Sequence, residues 1–383
     1  MESSCNFEFY NPTRILFGRN TLEQIGPCIQ SRRIGKVLLL AGGGSIRDNG
    51  VYHAVSSSLR AAGIQWVEHW GVQPNPILST VQEAVQRARE FQAEAILAVG
   101  GGSVIDSAKA VAAGCCMDNV WDAFARKSFI EKALPLFVVL TLSATGSEMN
   151  PFTVITKEDE RKKWATASPA LYPTVAIIDP AVQMTLPWIQ TVNGGLDAIA
   201  HILEFYVMGT DEETTIALDE ALMRSVIQAV DQLQEDPSRY PARANLAWAA
   251  TLALNGISGT QLRGGDWSTH MIEHGLSAVH PEVAHGTGLG ILFPAWLRYM
   301  EPHNPAQFRR LARQVWAADS LNEGLERMKS KWKQWGTPTA LRELGVRAEE
   351  IPQIADNVWM AAPLGQLKSL SRKDVEEILK LAY

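Results

Sequence analysis

Ala95-Ile96-Leu97-Ala98-Val99, then Gly100-Gly101-Gly102-Ser103, then Val104-Ile105-Asp106-Ser107-Ala108-Lys109: this stretch decides the fold. The first run is apolar without alternation, which predicts a strand covered on both faces, as in a parallel sheet. The glycines make a tight turn, and a helix opens after them. The same grammar recurs outward in both directions. Val37-Leu38-Leu39-Leu40-Ala41 ends in Gly42-Gly43-Gly44-Ser45. Ser79 to Gln92 reads as an amphipathic helix, with Val81, Ala84, Val85 and Ala88 on one face. Leu136 to Leu140 and Val175 to Ile178 are further buried strands, the second closed by Asp179-Pro180. Strands alternating with helices predict a doubly wound α/β domain.

After Pro187 the pattern changes. Segments near 190–208, 213–234, 242–257, 267–279 and 286–300 read as helices, with Val226, Val230 and Leu233 marking one core stripe. The stretch 305–383 is helical too, with breaks expected at Gly336-Thr337-Pro338 and Ile351-Pro352. The expected organisation is an α/β domain over 1–184 and an all-helical domain over 185–383, with a cleft between them suited to ligands. A chain of 383 residues is consistent with two domains.

Composition narrows the function. The hydrophobic fraction of 46% and the charged fraction of 20% are those of a soluble globular enzyme. The formal net charge of −6 argues against a nucleic-acid partner, because phosphate backbones need clustered Lys and Arg. The densest basic stretch, Arg161-Lys162-Lys163, reads as a solvated surface turn. Cys5, Cys28, Cys115 and Cys116 form no C-x-x-C pair and fit a reducing compartment. Met1 to Cys5 has no basic region leading into an apolar core, and no apolar run reaches membrane-spanning length, so no membrane partner and a cytoplasmic location are expected.

Both glycine turns follow strands, and the second opens a helix whose first N–H groups suit a phosphate. Neither turn is a G-x-G-x-x-G or Walker sequence, and a triple glycine alone serves equally as a tight strand-to-helix turn. Thr141-Leu142-Ser143-Ala144-Thr145-Gly146-Ser147-Glu148 follows the next strand and offers small hydroxyl groups at its carboxyl end. Three strand ends of this kind match the rule for ligand binding in open α/β sheets.

Histidine is scarce, yet four of the eight, His270, His274, His280 and His285, fall close together. His201 follows Asp197 by four residues, which puts both on one helix face after Gly194-Gly195. One carboxylate with several imidazoles makes a divalent-ion site that Fe²⁺ or Zn²⁺ accepts. The spacing leaves the choice among the four later histidines open. An ion there can polarise a carbonyl or acidify an alcohol, and a nicotinamide supplies the hydride, so no side-chain nucleophile is needed.

These residues resemble the iron-containing (group III) alcohol dehydrogenases over nearly the whole chain, in the branch of butanol dehydrogenases and broad-range aldehyde reductases. The segments that carry the resemblance are Asn11-Pro12-Thr13-Arg14-Ile15-Leu16-Phe17-Gly18, Gly100 to Asp106, Thr145-Gly146-Ser147-Glu148, Ser168-Pro169-Ala170-Leu171-Tyr172-Pro173 and Asp197-Ala198-Ile199-Ala200-His201. The resemblance implies a dinucleotide-binding first domain and a metal-binding second one. It puts the metal on Asp197, His201, His270 and His285, and gives His274 a role in proton transfer. It puts the pyrophosphate on Gly101, Gly102 and Ser103 with Asp106 nearby, and the nicotinamide and ribose on Thr141, Leu142, Thr145 and Lys163. It also implies a homodimer paired through a strand near Asn6 to Tyr10.

Relatives that prefer NAD carry an acid at the end of the first strand, to hold ribose hydroxyls. Here Gly42 occupies that place, and Gly42, Gly43, Gly44 and Ser45, with Arg47, leave room for a 2′-phosphate. NADP(H) is therefore expected over NAD(H). One departure is an apparent extra residue between Leu276-Ser277-Ala278 and His285, in His280-Pro281-Glu282-Val283-Ala284. Polyol or phosphopolyol dehydrogenases and dehydroquinate synthases share the outline, but their anionic substrates call for more Lys and Arg near the ligands than Arg263 alone. A metal-stabilised nucleotide-binding module explains the glycine turns but not His274. A small aldehyde or primary alcohol is the expected substrate.

Overall fold

The computed structural model describes residues 6–383, so Cys5 and the leader reading of Met1 to Cys5 lie outside the described residues. The chain divides into two compact units: residues 11–186 with 238–247, and residues 187–237 with 248–383 and the described residues 6–10. The grouping of 238–247 with the first unit has no signal in composition or periodicity.

In the first unit, β1 (Arg14–Phe17), β2 (Lys36–Ala41), β3 (Gln65–His69), β4 (Ala95–Gly100), β5 (Leu136–Leu140) and β8 (Val175–Ile178) form one parallel sheet in the order β1-β8-β5-β4-β2-β3. A separate antiparallel hairpin joins β6 (Phe152–Lys157) to β7 (Lys162–Ala167). The helices of this unit are α1 (Ile25–Gln30), α2 (Ser45–Asp48), α3 (Val51–Ala61), α4 (Leu78–Phe91), α5 (Gly102–Gly114) and α6 (Trp121–Phe124).

The continuous apolar strands divide their side chains between two cores. Leu38, Leu40, Ile96, Ala98, Val138 and Leu140 pack with Val81 and Ala84 of α4 and Ile105 and Ala108 of α5. Val37, Leu39, Leu97, Val99, Phe137 and Val139 pack with Ile25 and Ile29 of α1 and Val55 and Leu59 of α3. Burial on both faces is why the strands show no polar alternation.

The hairpin is a feature that the sequence reading missed. Only Arg161 of the basic stretch stands at its turn, exposed with φ 51°, while Lys162 and Lys163 lie in β7. Lys163 is buried rather than solvated. Pairing of Thr156 with Lys163 puts a buried lysine inside the ladder.

The second unit is helical: α7 (Trp188–Tyr206), α8 (Glu213–Glu235), part of α9 (Tyr240–Ala253), α10 (Ser268–Val279), α11 (His285–Met300), α12 (Pro305–Trp316), α13 (Leu321–Gln334), α14 (Ile351–Trp359) and α15 (Arg372–Ala382). The break at Gly336-Thr337-Pro338 falls after α13, with Gly336 at φ 83°. Ile351-Pro352 instead opens α14, where proline in the first turn removes no helical hydrogen bond. Asn6 to Tyr10 carries no strand, and the first strand is β1 at the sheet edge. Among the described residues no helix is long and apolar enough to cross a membrane.

Leu97 is fully buried in β4. Leu97→Ala is expected to lower stability by about 2–5 kcal/mol, against about 0.5 kcal/mol or less for exposed Glu83→Ala on α4. Urea titration followed by far-ultraviolet circular dichroism measures both. Equal midpoints for the two variants would contradict the two-core arrangement.

Candidate metal and cofactor site

The sheet order reverses at β2. The chain leaves β2 for β3 on one side, and the later strands β4, β5 and β8 build on the other. Such a switch point, at the carboxyl ends of the strands, is where open α/β sheets take ligands. Ala41 pairs with Val99 and Gly100 with Leu140, so both glycine turns and Thr141 emerge on one edge. Gly43 and Gly44 are open on their Cβ side, and Gly44 has φ 120°, a left-handed value that favours glycine. Ser45 starts α2 and is exposed. The Arg47 guanidinium lies 3.9 Å from the centroid of the Trp70 ring.

The second turn is packed more tightly. A Cβ on Gly102 would fall 2.4 Å from Thr145 Cγ2, and one on Gly101 would fall 3.1 Å from Leu142 Cβ. The glycines therefore let the β5 turn, with Thr141, Leu142 and Thr145, close against the head of α5. The first-turn N–H groups of α5, at Gly102 and Ser103, have no acceptor within the helix. Asp106 is committed inside the fold: Oδ1 accepts from Ser147 Oγ at 2.6 Å and Oδ2 from Val154 N at 3.0 Å.

In the second unit the histidines converge. Asp197 and His201 face the same way on α7, and α10 supplies His270 and His274. His285 is the first residue of α11. His201 Nδ1 and His285 Nε2 each lie 3.7 Å from Asp197 Oδ1. The ring centroids of His201 and His270 are 4.8 Å apart, those of His270 and His285 5.6 Å, and those of His274 and His285 5.5 Å. His280 stands elsewhere, hydrogen-bonded to Glu282 at 3.1 Å and 3.7 Å from Glu350.

Helix contact explains how His285 reaches this cluster. A Cβ on Gly286 would lie 2.2 Å from the Asn193 carbonyl oxygen, and one on Gly290 would lie 3.1 Å from Leu196 Cδ1. Glycine at these places lets α11 ride against α7, which carries Asp197.

The donor set fits a divalent ion. A separation of 3.7 Å is too long for a hydrogen bond. It is close to the ~3.4 Å between two donors each ~2.1 Å from one tetrahedral ion. His201 Nδ1 is buried without a hydrogen bond. Burial first, then the neighbouring His270 and His285, holds the His201 pKa well below its usual value, so the ring is neutral and able to donate a lone pair.

Two carboxylates orient the other rings. His270 Nδ1 bonds Glu204 Oε1 at 2.7 Å, and His285 Nδ1 bonds Glu273 Oε2. With Nδ1 engaged, Nε2 is the nitrogen left for a metal, the usual carboxylate–histidine arrangement. Glu204 also accepts from the backbone N–H of Trp267 at 2.5 Å and of His270 at 3.1 Å. Burial, with Asp266 second, pushes its pKa well above the usual carboxylate range. A Cβ on Gly288 would lie 2.9 Å from Glu273 Cγ, so glycine makes room for that acid.

The model of the family described as "Iron-containing alcohol dehydrogenase" matches residues 12–180, and that of the family's C-terminal part matches residues 191–383. The chain belongs to the iron-containing alcohol dehydrogenase family. It is similar to a probable NADH-dependent butanol dehydrogenase 1 of Bacillus subtilis, 39% identical over 98% of this chain and 99% of the relative. The NADPH-dependent aldehyde reductase YqhD of Escherichia coli is 34% identical over 91% of this chain and 92% of its own length. The crystal structure of NADH-dependent butanol dehydrogenase A from Thermotoga maritima matches with a TM-score of 0.96 at 50% identity, covering 98% of each chain. The protein is thus an NAD(P)-dependent, metal-containing alcohol dehydrogenase in class.

The sequence reading of this dehydrogenase missed Glu204 and Glu273. A signal was present: Asp197, His201 and Glu204 follow 4-then-3 spacing on α7, and Glu273 follows His270 by three on α10. Glu273→Gln is expected to weaken metal retention about 10–100-fold while the helix content stays unchanged. Chelator competition followed by elemental analysis of the protein measures this. A variant that holds its ion as tightly as the parent would rule out a supporting role for Glu273.

Proposed function

We propose that this enzyme interconverts small aldehydes and primary alcohols with NADP(H), and that Asp197, His201, His270 and His285 hold its divalent ion. The observation that carries the reading is Asp197 Oδ1 at 3.7 Å from both His201 Nδ1 and His285 Nε2, with carboxylates behind His270 and His285. When bound, the ion polarises the substrate oxygen and the nicotinamide exchanges hydride with the adjacent carbon. The chain's own tasks are orientation and proton handling. His274, buried beside His285, is the residue assigned to move the hydroxyl proton. Fe²⁺ and Zn²⁺ both suit one carboxylate and three imidazoles.

In the proposed enzyme Gly101, Gly102 and Ser103 take the cofactor's pyrophosphate, and Thr141, Leu142, Thr145 and Lys163 take its ribose and nicotinamide. Residues 1–184 form the dinucleotide-binding part and 185–383 the metal-binding part, in a homodimeric enzyme. Gly42, Gly43, Gly44 and Ser45 take the adenine-side ribose. The acid on neighbouring β3, Glu68, accepts from Tyr52 Oη, from Trp66 Nε1 at 3.0 Å and from Trp70 Nε1 at 2.7 Å. Those bonds, to Tyr52 of α3 and to the indoles of Trp66 and Trp70, occupy both of its oxygens in place of a ribose hydroxyl, which favours a 2′-phosphate facing Arg47. The NADH-dependent butanol dehydrogenases of Bacillus subtilis and Thermotoga maritima to which the chain is similar favour NADH as a second reading. The basic group nearest the ligands in sequence, Arg263, is exposed, which favours a neutral substrate over a phosphorylated polyol.

Absorbance at 340 nm with NADPH and butanal tests the reading. Chelation is expected to remove turnover and Fe²⁺ or Zn²⁺ to restore it; metal-replete protein that neither oxidises nor binds NADPH would refute it. For the 2′-phosphate, Arg47→Glu is expected to raise KM for NADPH by about 10–100-fold, the equivalent of one charged hydrogen bond, and to leave KM for NADH near its original value. Equal changes for both cofactors would assign Arg47 to folding instead.

A further inference from the structure

Lys109 is fully buried on α5, one turn beyond Asp106, flanked by Ala108, Ala110 and Val111, which are buried too. An ammonium has three protons to place and no solvent here to receive them. Its Nζ donates to Ser147 Oγ at 2.8 Å, to the Asn150 carbonyl at 2.8 Å, to Asn150 Oδ1 at 3.0 Å and to the Phe152 carbonyl at 2.8 Å. All four acceptors belong to one segment, residues 147–152. Asp106 grips the same segment through Ser147 Oγ, and its continuation into β6 through Val154 N and, with its carbonyl, Thr153 Oγ1 at 2.8 Å.

The segment begins where the cofactor residues end. Thr145 already touches Gly102 at the head of α5, and Ser147 N donates to Thr145 Oγ1 at 3.1 Å. Residues 142–154 are thus pinned to one helix at two levels: by close packing at the glycine turn, and by the Asp106–Lys109 pair one to two turns further on. An apolar side chain of equal length would leave two backbone carbonyls and an amide oxygen without the ammonium.

We infer that Lys109 is a positioning residue for cofactor binding: its ammonium fixes residues 145–152 against α5 and so sets Thr141, Leu142 and Thr145 where they meet the dinucleotide. The inference rests on the cofactor assignment proposed above. The charged groups that weigh on Lys109 are Asp106 and Glu148, which favour its protonated form, while burial outweighs both and pushes its pKa down to about 7. The clamp is therefore fully charged below that pH and loses its charge and one of its three N–H donors as pH rises through it, which gives cofactor affinity a pH dependence that a filler residue does not produce.

The test is titration of NADPH and NADH into metal-loaded protein by nicotinamide fluorescence, from pH 6 to 9, for the parent, Lys109→Met and Ser147→Ala. The parent is expected to bind more weakly as pH rises through about 7. Lys109→Met is expected to bind about tenfold more weakly at pH 6, the loss of a charge-assisted hydrogen bond, and to show little of that pH dependence. Its KM for cofactor should rise while kcat at saturating cofactor stays within about twofold, because the lysine touches no reacting atom. Ser147→Ala keeps the lysine, removes one acceptor, and is expected to shift affinity the same way by a smaller factor. It supplies the same affinity readout where Lys109→Met does not fold. Parental affinity and pH profile in either folded variant would overturn the inference. A parent protein that binds neither dinucleotide would instead overturn the cofactor assignment, and the inference with it.

Discussion

Burial of acids among imidazoles is the constraint on which the helical unit depends. Asp197, Glu204 and Glu273 are all almost fully buried, and so are His201, His270 and His274. Carboxylates removed from water must find protons or cations. Glu204 and Glu273 each find an imidazole N–H and further donors, whereas Asp197 faces two ring nitrogens at a spacing that suits an intervening ion. The glycines of α11 follow from the same requirement, since His285 reaches Asp197 only where Gly286 lets one helix lie against the backbone of another. Trp267 belongs to this arrangement too. Its backbone sits in the left-handed region at φ 63°, and its N–H is taken by Glu204. A non-glycine residue stays there only where its surroundings hold it.

The first unit meets a different requirement, presenting several strand ends at one edge in matched register. Its glycines do two jobs there. Gly43 and Gly44 leave open space, but Gly101 and Gly102 are filled from behind by Leu142 and Thr145. The second turn is therefore part of the packing as well as a place where N–H groups emerge. Lys109 continues this packing in polar form, with an ammonium where a core would normally place a methyl group.

Much of this was legible in the chain. The buried strands at 37–41, 95–99, 136–140 and 175–178 announced themselves because covering a sheet on both faces leaves no room for polar alternation. The Asp197–His201 spacing fixed a helix face. The hairpin at 152–167 stayed hidden because half-exposed strands containing Thr and Lys resemble a polar loop, and its buried Lys163 looked like part of a basic surface turn. β1, four residues long at one sheet edge, was too short to stand out, and β3, five residues long at the other, mixes apolar with polar residues. Glu204 and Glu273 were invisible as partners for a physical reason: an acid on a helix shows its spacing in sequence, but not which neighbour it will be buried against. The spacing alone likewise left His280 and His285 open; the resemblance selects His285, and in the structure His280 stands beside Glu282 and Glu350.

The carboxylates behind His270 and His285 have a consequence for how such an enzyme is loaded. Each fixes a ring's tautomer and swing before any ion arrives, so the organisational work is done during folding and not at the moment of capture. One carboxylate and three imidazoles are a donor set that several first-row ions accept, so the ligand types leave selection to geometry and to metal availability. In the proposed site, the metal found in a given preparation then reports the supply in the medium where the chain folded, and two laboratories can obtain different elements from the same gene without either being mistaken.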